Sequence, residues 1–262
     1  MPVPDKILFE LLEEKHNQYN TPDFIAEDPI SIPHLFTRKE DIEIAGFLSA
    51  LIAWGKRSLI LKGAKKMMEI MEYSPFDFIM NASDKELSYW NGYVYRTFQD
   101  TDVKAITQAL KRVYKETGGL EEIFRPVFPD DNQQDEPAYY AILQARKYLT
   151  QSPDFPERTQ KHLANPAKGA SAKRLNMFLR WMVRKDYRGV DFGIWNCLTP
   201  AQLICPLDVH TGNMGRKLGL LLSPQDNWKS AVSLTESLRH YCKEDPVKYD
   251  FALFGLGIYD KL

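Results

Sequence analysis

The residues best placed to do chemistry fall in two short segments of the second half of the chain. The first, Lys168-Gly169-Ala170-Ser171-Ala172-Lys173-Arg174-Leu175-Asn176, is a small-residue turn opening directly into a helical pattern. Free backbone N–H groups and the positive helix end then face one point, an arrangement that binds phosphate without reading sequence. Lys168 and Arg174 would add mobile charge. An ordinary flexible loop leading into a core helix has the same composition. The second segment, Pro206-Leu207-Asp208-Val209-His210, puts a carboxylate where a helix should begin, behind Leu203, Ile204 and Leu207. Asp208 fits a plain N-cap. Half shielded by apolar neighbours, it also fits a general base or a group that steadies developing positive charge, and the two roles are compatible. His210 follows closely, either as a catalytic group or as an ordinary packed histidine.

Around the first segment the charge is one-sided. Lys161, Lys168, Lys173, Arg174, Arg180, Arg184, Lys185 and Arg188 are opposed only by Asp186, while acids gather at Asp130, Asp131, Asp135 and Glu136. Such asymmetry suits a positive face for an anionic polymer, although the formal net charge is only −1. A solvated helix face is the alternative.

The elements that must position these groups are helical. Ile44, Phe47, Leu48 and Leu51 recur at helical spacing within Asp41–Met71, with Gly55 as a bend or break. Ser74-Pro75 restarts the chain as N-cap and first helical residue. Asp102–Glu116 is amphipathic and stops at Gly118-Gly119. Pro126–Pro137 reads as an exposed loop, and Ala138–Leu149 as a helix. Ser171–Lys185 carries a buried stripe of Leu175, Phe178, Leu179 and Met182. Further helices are expected at Thr199–Ile204, Asp208–Leu221, Asn227–His240 and Pro246–Gly257, the last ending on its glycines. No strand pattern stands out, so the fold class is all-α.

At 262 residues, 44% hydrophobic and 26% charged, the chain can build one large domain or two modest ones without a metal or disulfide scaffold. Cys197, Cys205 and Cys242 are odd in number and widely spaced, which favours a reducing compartment over disulfides, a zinc site or a cluster. The acidic N-terminus does not read as a targeting peptide, and no apolar run is long enough to span a bilayer. The expectation is a cytoplasmic protein, with no membrane partner, no cofactor and no metal, and a monomer favoured.

Gly169-Ala-Ser-Ala-Lys173-Arg-Leu-Asn176 resembles the hairpin-to-helix segment of the helix–hairpin–helix DNA glycosylases of the endonuclease III group. Pro206-Leu-Asp208-Val-His210 and Arg216-Lys-Leu-Gly-Leu are similar to the segments that follow it there. Tyr95-Arg96 with Gly118-Gly119-Leu120 resembles a stretch of the 8-oxoguanine glycosylases, and Phe47-Leu-Ser-Ala50 a helix start of the superfamily. The resemblance runs in the same order over most of residues 40–220. It implies a two-domain helical fold with a cleft between a barrel-like domain at 40–185 and a second domain built from 1–39 plus 186–262. It also implies a damaged base flipped out of duplex DNA. Lys173 would be the amine that forms a Schiff base with the sugar, and Asp208 the carboxylate that activates it. Lys168, Gly169, Ala170, Ser171, Arg174, Arg180, His210 and Arg216 would contact nucleic acid, and Tyr249, Asp250 and Phe251 the base. A helix docked by Phe251 and Phe254 is the alternative for that last group.

The chain departs from the pattern in four places. Ser171 replaces a hairpin glycine, so a left-handed turn there is harder to adopt. Leu175 replaces alanine, Leu51 stands where some members carry a polar residue, and Asp208 follows Lys173 at a longer interval. The expected activity is a base-excision DNA N-glycosylase, with or without lyase activity. The rivals are a catalytically inactive nucleic-acid-binding protein and a helical interaction or scaffold domain.

Overall fold

The computed structural model describes residues 5–129 and 136–260. Its helices are α1 (Asp5–Tyr19), α2 (Lys39–Leu51), α3 (Arg57–Ile70), α4 (Pro75–Asn81), α5 (Asp84–Leu87), α6 (Asp100–Thr117) and α7 (Leu120–Ile123). They continue with α8 (Pro137–Thr150), α9 (Lys173–Val183), α10 (Val209–Lys217), α11 (Trp228–Arg239) and α12 (Asp250–Ile258). The protein is mostly helical. Among the described residues the only sheet is the two-residue antiparallel pair β1 (Val94–Tyr95) and β2 (Phe98–Gln99).

The core forms where α2 crosses α9. Residues Ile42 to Leu51 of α2 are all buried, as are Leu175 to Val183 of α9, so both helices are enclosed on every side. Gly46 lets them approach, because a side chain there would press on Phe178 and Met182 at 3.2–3.3 Å. Phe47, Phe124, Phe178 and Trp195 fill the contact with edge-on and tilted ring pairs.

Most helix boundaries follow local signals. Gly55, at φ +102°, separates α2 from α3, and Gly118, at φ +88°, ends α6. Ser74 and Pro75 start α4 in the expected register, although the Ser74 hydroxyl makes no capping bond. The Thr199–Ile204 helix shrinks to a 3-10 turn at Pro200–Gln202 held by a capping box. The last helix does not stop on its glycines. It runs through Gly255 and Gly257 to Ile258, and Gly255 is there because the Tyr19 ring occupies the place of a side chain. Of the loop expected at Pro126–Pro137, residues 130–135, with Asp130, Asp131 and Asp135, lie outside the described residues.

Two regions were not anticipated. Helix α1 packs along α12 through Leu8, Leu12 and His16. Residues 22–35 are three 3-10 turns, each begun by a proline, at Pro22–Glu27, Pro29–Ser31 and Pro33–Leu35. Such turns carry no helical periodicity, which is why pattern reading passes over them. The first two form one wall of the cavity described next. Among the described residues no helix is long and apolar enough to cross a membrane, no group of three His, Cys, Asp or Glu could hold a metal, and the three cysteines are free.

Candidate active site

Lys173 is the first residue of α9 and Asp208 is the N-cap of α10. The two helix starts meet: Lys173 Nζ lies 3.6 Å from Asp208 Oδ2. Both side chains are about one-quarter exposed, at 26% and 24%. Asp208 caps its helix with the other oxygen, Oδ1, which accepts from the His210 and Thr211 N–H groups at 2.9 and 3.0 Å. One carboxylate oxygen is thus fixed by the backbone and the second faces the amine.

The pair sits on the rim of a cavity of about 860 Å³. Its aromatic lining is Phe24, Trp54, Phe251 and Phe254, and its charged lining includes Asp28, Arg57, Arg180 and Asp250. Arg180 lies two turns along α9 from Lys173, so one stripe of the helix carries the amine at the rim, Met177 on the wall and Arg180 at the floor. Arg180 is 3% exposed and donates to Asp250 Oδ2, with its Nε 3.3 Å from Asp191 and its guanidinium 4.2 Å above the Phe251 ring. Burial raises the Asp250 carboxyl to about 6, against the opposing pull of Arg180. Burial also raises Asp28, whose Oδ1 accepts from Ile30 N–H at 3.0 Å. The floor is therefore made of carboxyl groups held partly or wholly away from water.

The hairpin before α9 is exposed from Ala167 to Ala170 and half-buried at Ser171. Pro166–Lys168 is a 3-10 turn and Gly169 takes φ +84°. Ala170 pairs with Asn227, and Trp228 N–H donates to Gly169 O at 3.1 Å, which ties the hairpin to α11. The left-handed residue at the helix entry is Ala172, at φ +52°, not Ser171. Ser171 is accommodated without a positive φ, and its hydroxyl donates to Leu207 O at 3.3 Å, beside Asp208.

Several expected contacts are placed elsewhere. Arg180 is shut in the core and cannot reach a nucleic-acid backbone. Arg184, from the same basic run, is also buried, paired with Asp186, Asp191 and Asp245 at 2.7–3.0 Å. Arg174 donates to the Leu51 and His162 carbonyls and lies 4.7 Å over the Trp54 ring, with burial pulling it down to about 10. It packs on the Trp54 ring at the cavity wall. Arg216 is spent on Ser223 O and Asp226. Tyr249 is buried and points away from the cavity, donating to Glu13 Oε1 at 2.6 Å. Asp250 and Phe251 do line the cavity. Lys168, Gly169 and Ala170 are exposed, and His210 is exposed on the cavity rim. Phe24, Asp28 and Arg57 carried no sequence signal, since they stand on or beside the aperiodic turns.

Trp54 is backed on its far face by His162, stacked at 5.9 Å, whose Nε2 is 3.4 Å from the buried Asp102. Burial outweighs Asp102 and brings His162 down to about 4, as it does His16 under α12. Both imidazoles are neutral in the fold. The unfolded chain takes up protons near 6.5, whereas the folded chain does so only near 4. Their stabilising contribution is therefore complete above pH 6.5 and is lost as pH falls through that window, by up to about 3 kcal/mol each. His162→Gln should flatten the acid limb of stability, read as urea midpoints between pH 4 and 7. An unchanged limb would contradict the neutral assignment.

A family described as "Protein of unknown function (DUF2400)" matches residues 28–259. The chain belongs to the DUF2400 family. That match overturns the assignment to the helix–hairpin–helix glycosylases suggested by short segments. Those segments are helix starts, where small residues and caps recur for local reasons in unrelated chains. No curated protein and no solved structure matches this DUF2400 chain. The match covers both helix starts and the cavity lining named here except Phe24.

Proposed function

We propose that this DUF2400 protein is a DNA base-excision N-glycosylase with lyase chemistry, working through Lys173 on a base held in the cavity. The observation that carries the reading is the amine and carboxylate 3.6 Å apart on the rim of an aromatic-walled cavity large enough for a nucleobase. The reading rests on this geometry and not on ancestry.

The chemistry requires an amine that can attack and a neighbour that takes its proton. Lys173 Nζ bonds to the sugar C1′ as the bond from C1′ to the base breaks. The base leaves with the electron pair and the proton that Asp208 first takes from Nζ. The ammonium formed at Nζ then passes a second proton to Asp208, which hands it to O4′ as the C1′–O4′ bond breaks, leaving an open-chain alcohol and a C1′=N iminium. Elimination at C2′ then releases the 3′ phosphate. The free oxygen of Asp208 is also placed to stabilise positive charge developing on the sugar. Phe24, Trp54, Phe251 and Phe254 would hold the base by its faces, and Asp28 and Asp250 would meet its polar edge.

The same reading divides the chain into two helical lobes. Trp54, Lys173 and Met177 would come from 40–185, and Phe24, Asp28, Asp208 and Phe251 from 1–39 plus 186–262. DNA as partner belongs to this proposal too. The test is sodium borohydride trapping on duplexes carrying an abasic site or an oxidised base, followed by peptide mapping. A covalent adduct on Lys173 is expected. DNA binding with neither adduct nor base release would overturn the enzyme and favour a non-catalytic DNA-binding protein.

A further inference from the structure

Two charged side chains in the cavity wall each keep one atom without a partner. Asp28 is the N-cap of the 3-10 turn Pro29–Ser31, and its Oδ1 accepts from Ile30 N–H at 3.0 Å. The residue is 8% exposed and lines the cavity, and among the described residues nothing donates to its Oδ2. Arg180 spends Nη1 on Asp250, while its Nε faces Asp191 Oδ1 at 3.3 Å without a hydrogen bond. Those last two atoms are sealed in protein. Arg180 Nη2 also lacks a partner among the described residues, but it is not sealed, and neither is Asp28 Oδ2. Both residues line the cavity, so both atoms are left to whatever the cavity holds.

A buried charge with unused hydrogen-bonding capacity costs free energy until a ligand supplies the missing bond. Burial works against both charges here, and each group is supported by the other's field. The other charges of the lining are already engaged. Asp250 accepts from Arg180, Arg57 donates to Tyr259 OH at 2.9 Å, and Lys173 faces Asp208 at the rim. A ligand on the floor therefore meets one strong donor and one strong acceptor. Phe251 stands beside them, with the Arg180 guanidinium at 4.2 Å from its ring and the Phe24 ring edge-on at 5.2 Å.

A lactam edge, a carbonyl next to a ring N–H, complements that pair. The carbonyl oxygen is the strongest acceptor of a base and suits a guanidinium, and the acidic ring N–H suits a carboxylate. Uracil, thymine, hypoxanthine and guanine carry this edge. Adenine and cytosine turn an amine and a bare ring nitrogen to the same place, weaker partners for both charges.

We infer that Asp28 Oδ2 and Arg180 Nη2 read the lactam edge of the bound base, so that the cavity selects lactam bases over amino bases. The inference rests on the proposed base pocket, but its readout needs neither DNA nor covalent chemistry. The probes are 1-methyluracil and 1-methylcytosine, in which the methyl group stands for the sugar. Each is titrated to 20 mM against the full chain at pH 7.5 by saturation-transfer NMR. 1-Methyluracil is expected to bind with a Kd of about 1 mM or tighter, an ordinary efficiency for a ligand of that size. 1-Methylcytosine should bind about tenfold more weakly or worse, because it leaves the buried groups poorly paired. Asp28→Asn keeps the cap on Ile30 N–H and turns an amide NH₂ toward the ligand in place of Oδ2. It is expected to weaken 1-methyluracil about tenfold and to bring the ratio of the two affinities close to one, whereas a damaged fold would weaken both alike. Equal affinities in the wild type, an unmoved ratio in Asp28→Asn, or no 1-methyluracil bound at 20 mM would overturn the edge reader. Borohydride trapping judges Lys173 separately. An adduct without base preference would strike the reader and keep the enzyme, and a preference without an adduct would do the reverse.

Discussion

Lys173→Ala is expected to abolish borohydride trapping and to lower single-turnover base release by on the order of 10⁴, the scale seen when a nucleophile is removed from a preorganised site. Nζ is the group that bonds to the sugar, and no neighbour can replace it: Arg174 is turned to the Leu51 and His162 carbonyls, and Arg180 is held by Asp191 and Asp250. Stability should change little, because the single ion pair of Lys173 joins two side chains that are each about one-quarter exposed to water. Asp208→Asn is the informative companion. Asparagine is as good an N-cap as aspartate, so the α10 start is preserved while the charge facing Nζ is removed. The expected result is a loss of on the order of 10²–10³ in base release at nearly unchanged urea midpoint. Asp208→Ala should lose about 1 kcal/mol of stability as well, since it leaves the His210 and Thr211 N–H groups uncapped. Equal activity of Lys173→Ala and wild type would end the assignment of the amine.

Why these two residues were legible and the floor of the cavity was not has a physical reason. Lys173 and Asp208 sit at helix starts, and helix starts are written locally, in small residues, prolines and caps within a few positions. The pairing of the two starts was a further expectation, and the 3.6 Å separation is the finding that bears on it. The basic run from Lys161 to Arg188 is a different case. Charge in a sequence does not say whether it is solvated. Arg180 lies on α9 and Arg184 is the residue that ends it; both are buried and are neutralised by Asp191, Asp245 and Asp250, two of them from a remote part of the chain. The wall made by Phe24 and Asp28 belongs to 3-10 turns, which have too few residues per element for any periodicity to build up. The N-terminal helix is marked in the sequence chiefly by its acids, while the burial of Leu8 and Leu12 depends on the distant α12.

The floor should also matter to stability. Arg180→Met is expected to destabilise the fold by about 3–5 kcal/mol, because it removes one partner from a buried charge network. Methionine fills much of the volume and can pack on Phe251, so the loss is electrostatic before it is steric. Asp250 and Asp191 would be left facing each other, with Arg184 the remaining cation beside Asp191. The pH dependence gives the claim its sign. Asp250 already titrates at about 6 in the fold, above its ordinary 3.8, so folding takes up a proton between those values. Its contribution is greatest at low pH and is lost as pH rises through 6. Without Arg180 that window moves upward. The variant should therefore be hurt most near pH 8 and recover part of its stability near pH 5, opposite to the acid limb set by His16 and His162. Adding Asp250→Asn should recover a further part at pH 8, with a coupling energy of about 1–3 kcal/mol in the double-mutant cycle. A purely steric role predicts additive losses at every pH. Urea titrations of the four proteins at pH 5 and pH 8 separate the two, and a pH-independent, additive cycle would remove the buried ion pair as the support of the cavity floor.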